Sequence, residues 1–75
     1  MTFNELFSAF VAGTAIKRKV WRGFWVYKYG QVEIHSKDGS VIFLKDTADI
    51  LFTLAGVLQT DWEVATNENC DITVE

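Results

Sequence analysis

The chain has 75 residues, and ten acidic against seven basic side chains give it a net charge of −3. A single domain usually takes roughly 100–200 residues, so a second domain and any fold built on a long parallel sheet are excluded. With 49% apolar and 15% aromatic residues the chain carries more than a disordered segment would, and part of that load is expected to face a partner chain or a ligand.

The opening predicts a helix over residues 3–12. Thr2 and Glu5 form a T-x-x-E capping box, in which the hydroxyl accepts the third amide and the carboxylate reaches back. Phe3, Leu6, Phe7, Phe10 and Val11 then fall on one helical face, and Gly13 stands where the helix should stop. Residues 15–20 alternate with a period of two, which sets Ile16, Arg18 and Val20 on one face and Ala15, Lys17 and Lys19 on the other. After the break at 21–23, residues 24–29 are strong strand formers, with Trp25, Tyr27 and Tyr29 on one side and Phe24, Val26 and Lys28 on the other. A turn is expected at Gly30-Gln31, a strand at 32–35 with Val32 and Ile34 inward, a hairpin at Asp38-Gly39, and a return strand over 40–44.

Asp46 or Thr47 is expected to cap a second helix, with Asp49 favourable to its dipole, Ala48, Leu51, Phe52 and Ala55 at helical spacing, and Gly56 ending it. Residues 61–64 alternate as a closing strand with Trp62 and Val64 inward. The fold class is α+β: a small antiparallel sheet of four to five strands, an N-terminal helix, and a second short helix before the last strand. Residues 1–65 form the single domain. Residues 66–75, with Glu68, Asp71 and Glu75 and no base, are expected to be an acidic, flexible tail with little to bury.

Charge is segregated along the chain. Residues 14–30 hold Lys17, Arg18, Lys19, Arg22 and Lys28 without an acid, whereas residues 31–65 hold six acids against Lys37 and Lys45. A basic strip on an otherwise neutral domain attracts a small anion, and the same lysines can simply keep a sheet edge apart from its neighbours. The strip is too short for duplex nucleic acid, whose binding neutralises several phosphates at once.

Catalysis has little support in the sequence. His35 is the one histidine and falls on the polar face of a strand, Cys70 is the one cysteine and lies in the tail, and no glycine-rich phosphate loop is present. One Cys and one His leave no ligand set for a metal and no intramolecular disulfide, so no cofactor is expected. No run of 18 apolar residues is present to cross a bilayer, and the N-terminus lacks the basic start of a secretory signal. Binding has more support. The stretch 17–25 interleaves Lys17, Arg18, Lys19 and Arg22 with Trp21, Phe24 and Trp25. An arginine fork suits a phosphate, and an indole offers a face for stacking a base. Core packing is the competing role for Trp21 and Trp62.

Met1-Thr2-Phe3-Asn4-Glu5 opening a helix, Ala12-Gly13, the run 16–23 (I-K-R-K-V-W-R-G), Asp38-Gly39 and Asp61-Trp62-Glu63-Val64 occur in that order. Over residues 1–65 this frame resembles the phage family of Thoeris anti-defence proteins, second type. The chain departs from the family in a shorter stretch before Asp38-Gly39, and at residues 42–49, where many members carry W-L-A-S-Q-T-D. The resemblance implies a small α+β protein of the host bacterial cytoplasm that works without catalysis as a homo-oligomer, a dimer or tetramer. It would sequester a cyclic ADP-ribose-type or cyclic oligonucleotide signal in pockets between subunits. By position it assigns ligand contacts to Arg18, Trp21, Arg22 and Asp61. The basic aromatic run adds Trp25, with Arg18, Arg22 and Trp25 expected to converge on one concave spot. The same frame occurs in anti-CRISPR proteins, so the alternative is a protein-binding inhibitor of a host defence nuclease or complex.

Overall fold

In a computed structural model the chain is described over residues 1–46 and 50–74. It forms α1 (Phe3–Val11), β1 (Ile16–Arg18), β2 (Phe24–Lys28), β3 (Gln31–His35), β4 (Val41–Phe43), a 3₁₀ turn (Leu44–Asp46), α2 (Ile50–Val57) and β5 (Trp62–Val64). This is the small α+β architecture, with the five strands in a fully antiparallel sheet of order β4-β3-β2-β1-β5.

Helix α1 begins as its capping box dictates. The Glu5 amide donates to Thr2 Oγ1 at 3.1 Å and the Thr2 amide donates to Glu5 Oε1 at 2.8 Å. The Thr2 amide first, and its hydroxyl second, hold the Glu5 carboxyl below its ordinary range. The helix leaves its axis at Gly13, whose φ is 108°. Its buried residues are Leu6 and Phe10 alone, while Phe7 stays 49% exposed. The apolar stripe is therefore wider than the face that reaches the sheet.

Strand pairing sorts the side chains. The pairs Ile16–Trp25, Arg18–Trp62 and Trp25–Ile34 lie on the face under α1, and the pairs Lys17–Glu63, Phe24–His35 and Val26–Glu33 lie on the other. Under α1, Leu6, Phe10, Ile16, Trp25 and Trp62 form the main core, joined by Phe3, Trp21, Tyr27 and Ile34. Trp62 is fully buried, with Phe3, Trp21 and Trp25 at ring-centre distances of 5.2, 5.2 and 5.3 Å. Its indole Nε1 donates to the Gly56 carbonyl at 3.1 Å, which ties α2 to the sheet. The terminal amine of Met1 donates to the Trp62 carbonyl, and the Trp62 amide to the Met1 carbonyl, at 2.9 and 2.8 Å.

Several expectations are corrected. The expected helix over 3–12 ends at Val11, with Ala12 as its cap. The first hairpin turns at Tyr29-Gly30 rather than Gly30-Gln31: both residues have positive φ, 53° and 74°, and Gln31 already pairs with Lys28. Two successive positive φ values match the twist of the flanking strands. Gly56 lies inside α2, one residue before its end, rather than stopping it. Asp46, one of the two candidate caps, lies in the 3₁₀ turn, and the cap at Thr47, the helical place of Ala48 and the dipole role of Asp49 lie outside the described residues. Val64 is 42% exposed rather than inward.

The segment after Ala65 does have something to bury. Cys70 is 7% exposed and clusters with Ala15, Phe24, Val26 and Ala65, with Ile72 and Val74 packed against them. Asn69 anchors the segment by donating to the Val64 carbonyl at 3.0 Å and to Glu63 Oε2 at 3.2 Å. This segment covers the sheet face that carries Lys17. The side chain of Lys17 is 1% exposed, and its ammonium donates to Glu63 Oε2 at 2.9 Å. Period-two alternation puts Lys17 opposite Ile16, correctly, but the segment that covers its face was expected to be a flexible tail.

Candidate functional site

The described residues form an open cavity of about 500 Å³ between the α1 side of the sheet, the 20–23 link and α2. Its walls include the indoles of Trp21 and Trp25, whose centres stand 5.4 Å apart, with Ile34 from β3 and Thr53 and Gly56 from α2. Arg22, His35 and Lys37 also border it, the His35 ring itself lying with Phe24 on the opposite face of the sheet. The volume lies within the roughly 300–1,000 Å³ of ligand sites, and an apolar lining with a few convergent polar groups is the usual make-up.

The link that carries Trp21 and Arg22 is held at close quarters. A Cβ at Gly23 would run into the His35 carbonyl oxygen, so only glycine lets the link lie against the end of β3. On the other flank the Asp71 amide donates to the Arg22 carbonyl at 2.9 Å. The Arg22 guanidinium meets the Asp71 carboxylate, with Nε and Nη2 both 2.9 Å from Oδ1, and this pairing raises the Arg22 pKa further. Both side chains remain half exposed.

Of the five residues singled out from the sequence, Trp21, Arg22 and Trp25 come together at the cavity, and Arg18 and Asp61 are not among its walls. The expected convergence of Arg18 with Arg22 and Trp25 is corrected here. Arg18 is committed to Asp61 through a two-pronged pair, Nε to Oδ1 at 2.8 Å and Nη2 to Oδ2 at 3.2 Å. Its guanidinium also stands 5.9 Å from the centre of the Trp21 ring. Asp61 is held below its ordinary 3.8 chiefly by the Arg18 hydrogen bonds. The pair braces Trp21 at one step from the cavity.

His35 and Lys37 are the cavity residues that the sequence reading passed over. His35, expected to be a solvated surface group, is half-buried instead. Its ring stacks on Phe24 at 4.6 Å with 12° between planes, and Nε2 lies 3.1 Å from Glu33 Oε1. Only the cross-strand pairing of Phe24 with His35 produces this stack, and nothing in the local sequence signals it. Lys37 belongs to the Asp38-Gly39 turn, whose place beside the 20–23 link is a product of topology. Among the described residues no cluster of His, Cys, Asp or Glu could hold a metal ion, and no helix is long and apolar enough to cross a membrane.

Comparison with known proteins found no matching family model, curated protein or solved structure.

Proposed function

We propose that this chain is a sequestering protein of the Thoeris anti-defence type, which binds a cyclic ADP-ribose-type or cyclic oligonucleotide signal in the Trp21–Trp25 cavity and releases it unchanged. The observation that carries this reading is the joining of two indoles with Arg22 and Lys37 around one cavity of about 500 Å³. A base has a stacking face in Trp21, worth about 1–3 kcal/mol for such contacts, and a pyrophosphate has a planar guanidinium at the rim. Arg18 and Asp61 act through Trp21, by fixing the ring they brace. Binding without chemistry fits a site whose nearest histidine, His35, turns its ring to Phe24 and Glu33 on the opposite face of the sheet.

Self-association belongs to the same proposal. Leu51, Leu54 and Leu58 on and just beyond α2 are 80%, 55% and 81% exposed, and a second copy would cover them. Titration calorimetry with cyclic ADP-ribose isomers and cyclic di- and trinucleotides tests the reading, with light scattering for the mass. Binding abolished by Trp21→Ala and intact ligand recovered after denaturation are the expected results. No heat from any of these ligands, or a chemically altered product, refutes it.

The second reading, a protein-binding inhibitor of a host defence complex, is favoured by one observation. Edge strand β4 exposes Val41, Ile42 and Phe43 without a proline or lysine within it, a strand open to pairing with another chain. Capture of a host defence protein that persists after charge reversal at Arg18 and Arg22 would support this reading over the first.

A further inference from the structure

Among the residues that line the cavity, the C-terminal segment 66–74 meets Arg22 through Asp71, and Gly23 and Phe24 through Cys70. Asp71 holds Arg22 twice, by its backbone amide on the Arg22 carbonyl and by its carboxylate on the guanidinium, each at 2.9 Å. The carboxylate therefore occupies a cation that an anionic ligand in the cavity needs. Two anions on one guanidinium repel each other, and an ion pair this exposed is weak enough to exchange.

We propose that residues 66–74 are an internal competitor for the cavity: a pyrophosphate-bearing ligand takes Arg22 from Asp71, and the segment loosens from the sheet in response. The inference rests on the cavity being the anion site described above, and it adds a regulator that lies outside the 1–65 frame. The neighbour of the clasp makes the exchange visible. Cys70, one residue before Asp71, is buried under the Gly23 carbonyl and donates to Asn69 Oδ1 at 3.3 Å. Burial pushes its thiol pKa up, against a smaller opposing pull from Lys17, so the docked thiol reacts slowly. By reciprocity, whatever factor the ligand takes from docking, docking takes from the ligand.

The experiment uses the full chain, a neutral alkylating agent (iodoacetamide) read by mass spectrometry, and inorganic pyrophosphate as the probe. Sodium chloride at matched ionic strength is the control. Pyrophosphate should speed Cys70 alkylation several-fold where sodium chloride does not. Asp71→Asn should alkylate fast without pyrophosphate and bind it about three- to tenfold more tightly, the size expected when one nearby like charge is removed at the protein surface. Amide exchange in α1 must stay unchanged in the variant, which separates loosening of the segment from unfolding. Arg22→Gln should also alkylate fast but lose the response to pyrophosphate. Saturating pyrophosphate that leaves alkylation unchanged, or an Asp71→Asn variant that binds it no more tightly, overturns the proposal. A pyrophosphate response without heat from any cyclic nucleotide keeps this inference and sinks the nucleotide reading; nucleotide binding with an unresponsive thiol does the reverse.

Discussion

The two faces of the sheet are built on different chemistry. Under α1, rings do the packing: Phe3, Phe10, Trp21, Trp25 and Trp62 meet edge to face or tilted at 5.2–5.7 Å. On the opposite face the core is small, with Ala15, Phe24, Val26, Ala65 and Cys70, and beside it lies an ion pair between buried Lys17 and half-buried Glu63. The first face draws its stability from apolar area and ring contacts. The second needs every polar partner in place, because a buried charge without one is costly. A helix covers the tolerant face and a segment of turns and bends covers the exacting one.

Substitutions can break that contrast in graded steps. Trp62→Ala should cost about 3–5 kcal/mol, the range for removing a large core ring. A domain this small rarely holds more than about 3–5 kcal/mol in all, so loss of the thermal unfolding transition is the expected result. On the other face Glu63→Gln should cost about 3 kcal/mol, as breaking a buried pair does, although Glu63 itself is 30% exposed. Lys17→Met should cost less, because it removes the buried charge instead of stranding it; chemical denaturation of the two variants compares them. Deleting residues 67–75 should lower the melting temperature by several degrees, since Cys70, Ile72 and Val74 then leave Phe24 and Val26 uncovered; an unchanged melting temperature would mean the segment contributes no net stability.

The smallest effects lie where each face meets water. Phe7→Ala should cost under about 1 kcal/mol where Phe10→Ala costs about 3–5, because Phe7 is 49% exposed and Phe10 only 3%. Asp61 has a folded pKa below its unfolded value, so its contribution is present above that unfolded value and is lost as pH falls through the folded one. Asp61→Asn should flatten the stability profile below about pH 4 and leave its shape near neutral pH unchanged, as followed by denaturation at stepped pH.

Local chemistry was legible in the sequence where it decides the structure locally. The Thr2–Glu5 box and the alternation of 24–28 each carry their own instruction, and α1 and β2 follow it. Alternation also divided Ile16 from Lys17 correctly, yet a period of two cannot say what lies over either face. Lys17 is buried only because Cys70 and its neighbours fold back from some fifty residues away. A cue was present in the apolar residues at 70, 72 and 74, which also alternate. The acidic neighbours obscured it, although one of them, Asp71, turns out to pair with Arg22. For the candidate site, the run around Trp21 supplied the indoles and one cation, while Arg18 was withdrawn by Asp61, 43 positions away. His35 and Lys37 reach the cavity through β3 and its turn, and no local pattern announces that approach.

The indole nitrogen of Trp62 meets the Gly56 carbonyl at 3.1 Å, and Gly56 also belongs to the cavity wall. The roof over the cleft is thus hooked to the sheet by a proton carried by the residue at the centre of the aromatic cluster. Exchanging that N–H for a sulfur atom, as a benzothiophene-bearing amino acid does, would keep the ring's bulk and remove the hook. The height of the roof would then vary apart from the solidity of the floor, two properties that ordinary mutagenesis at this residue changes together.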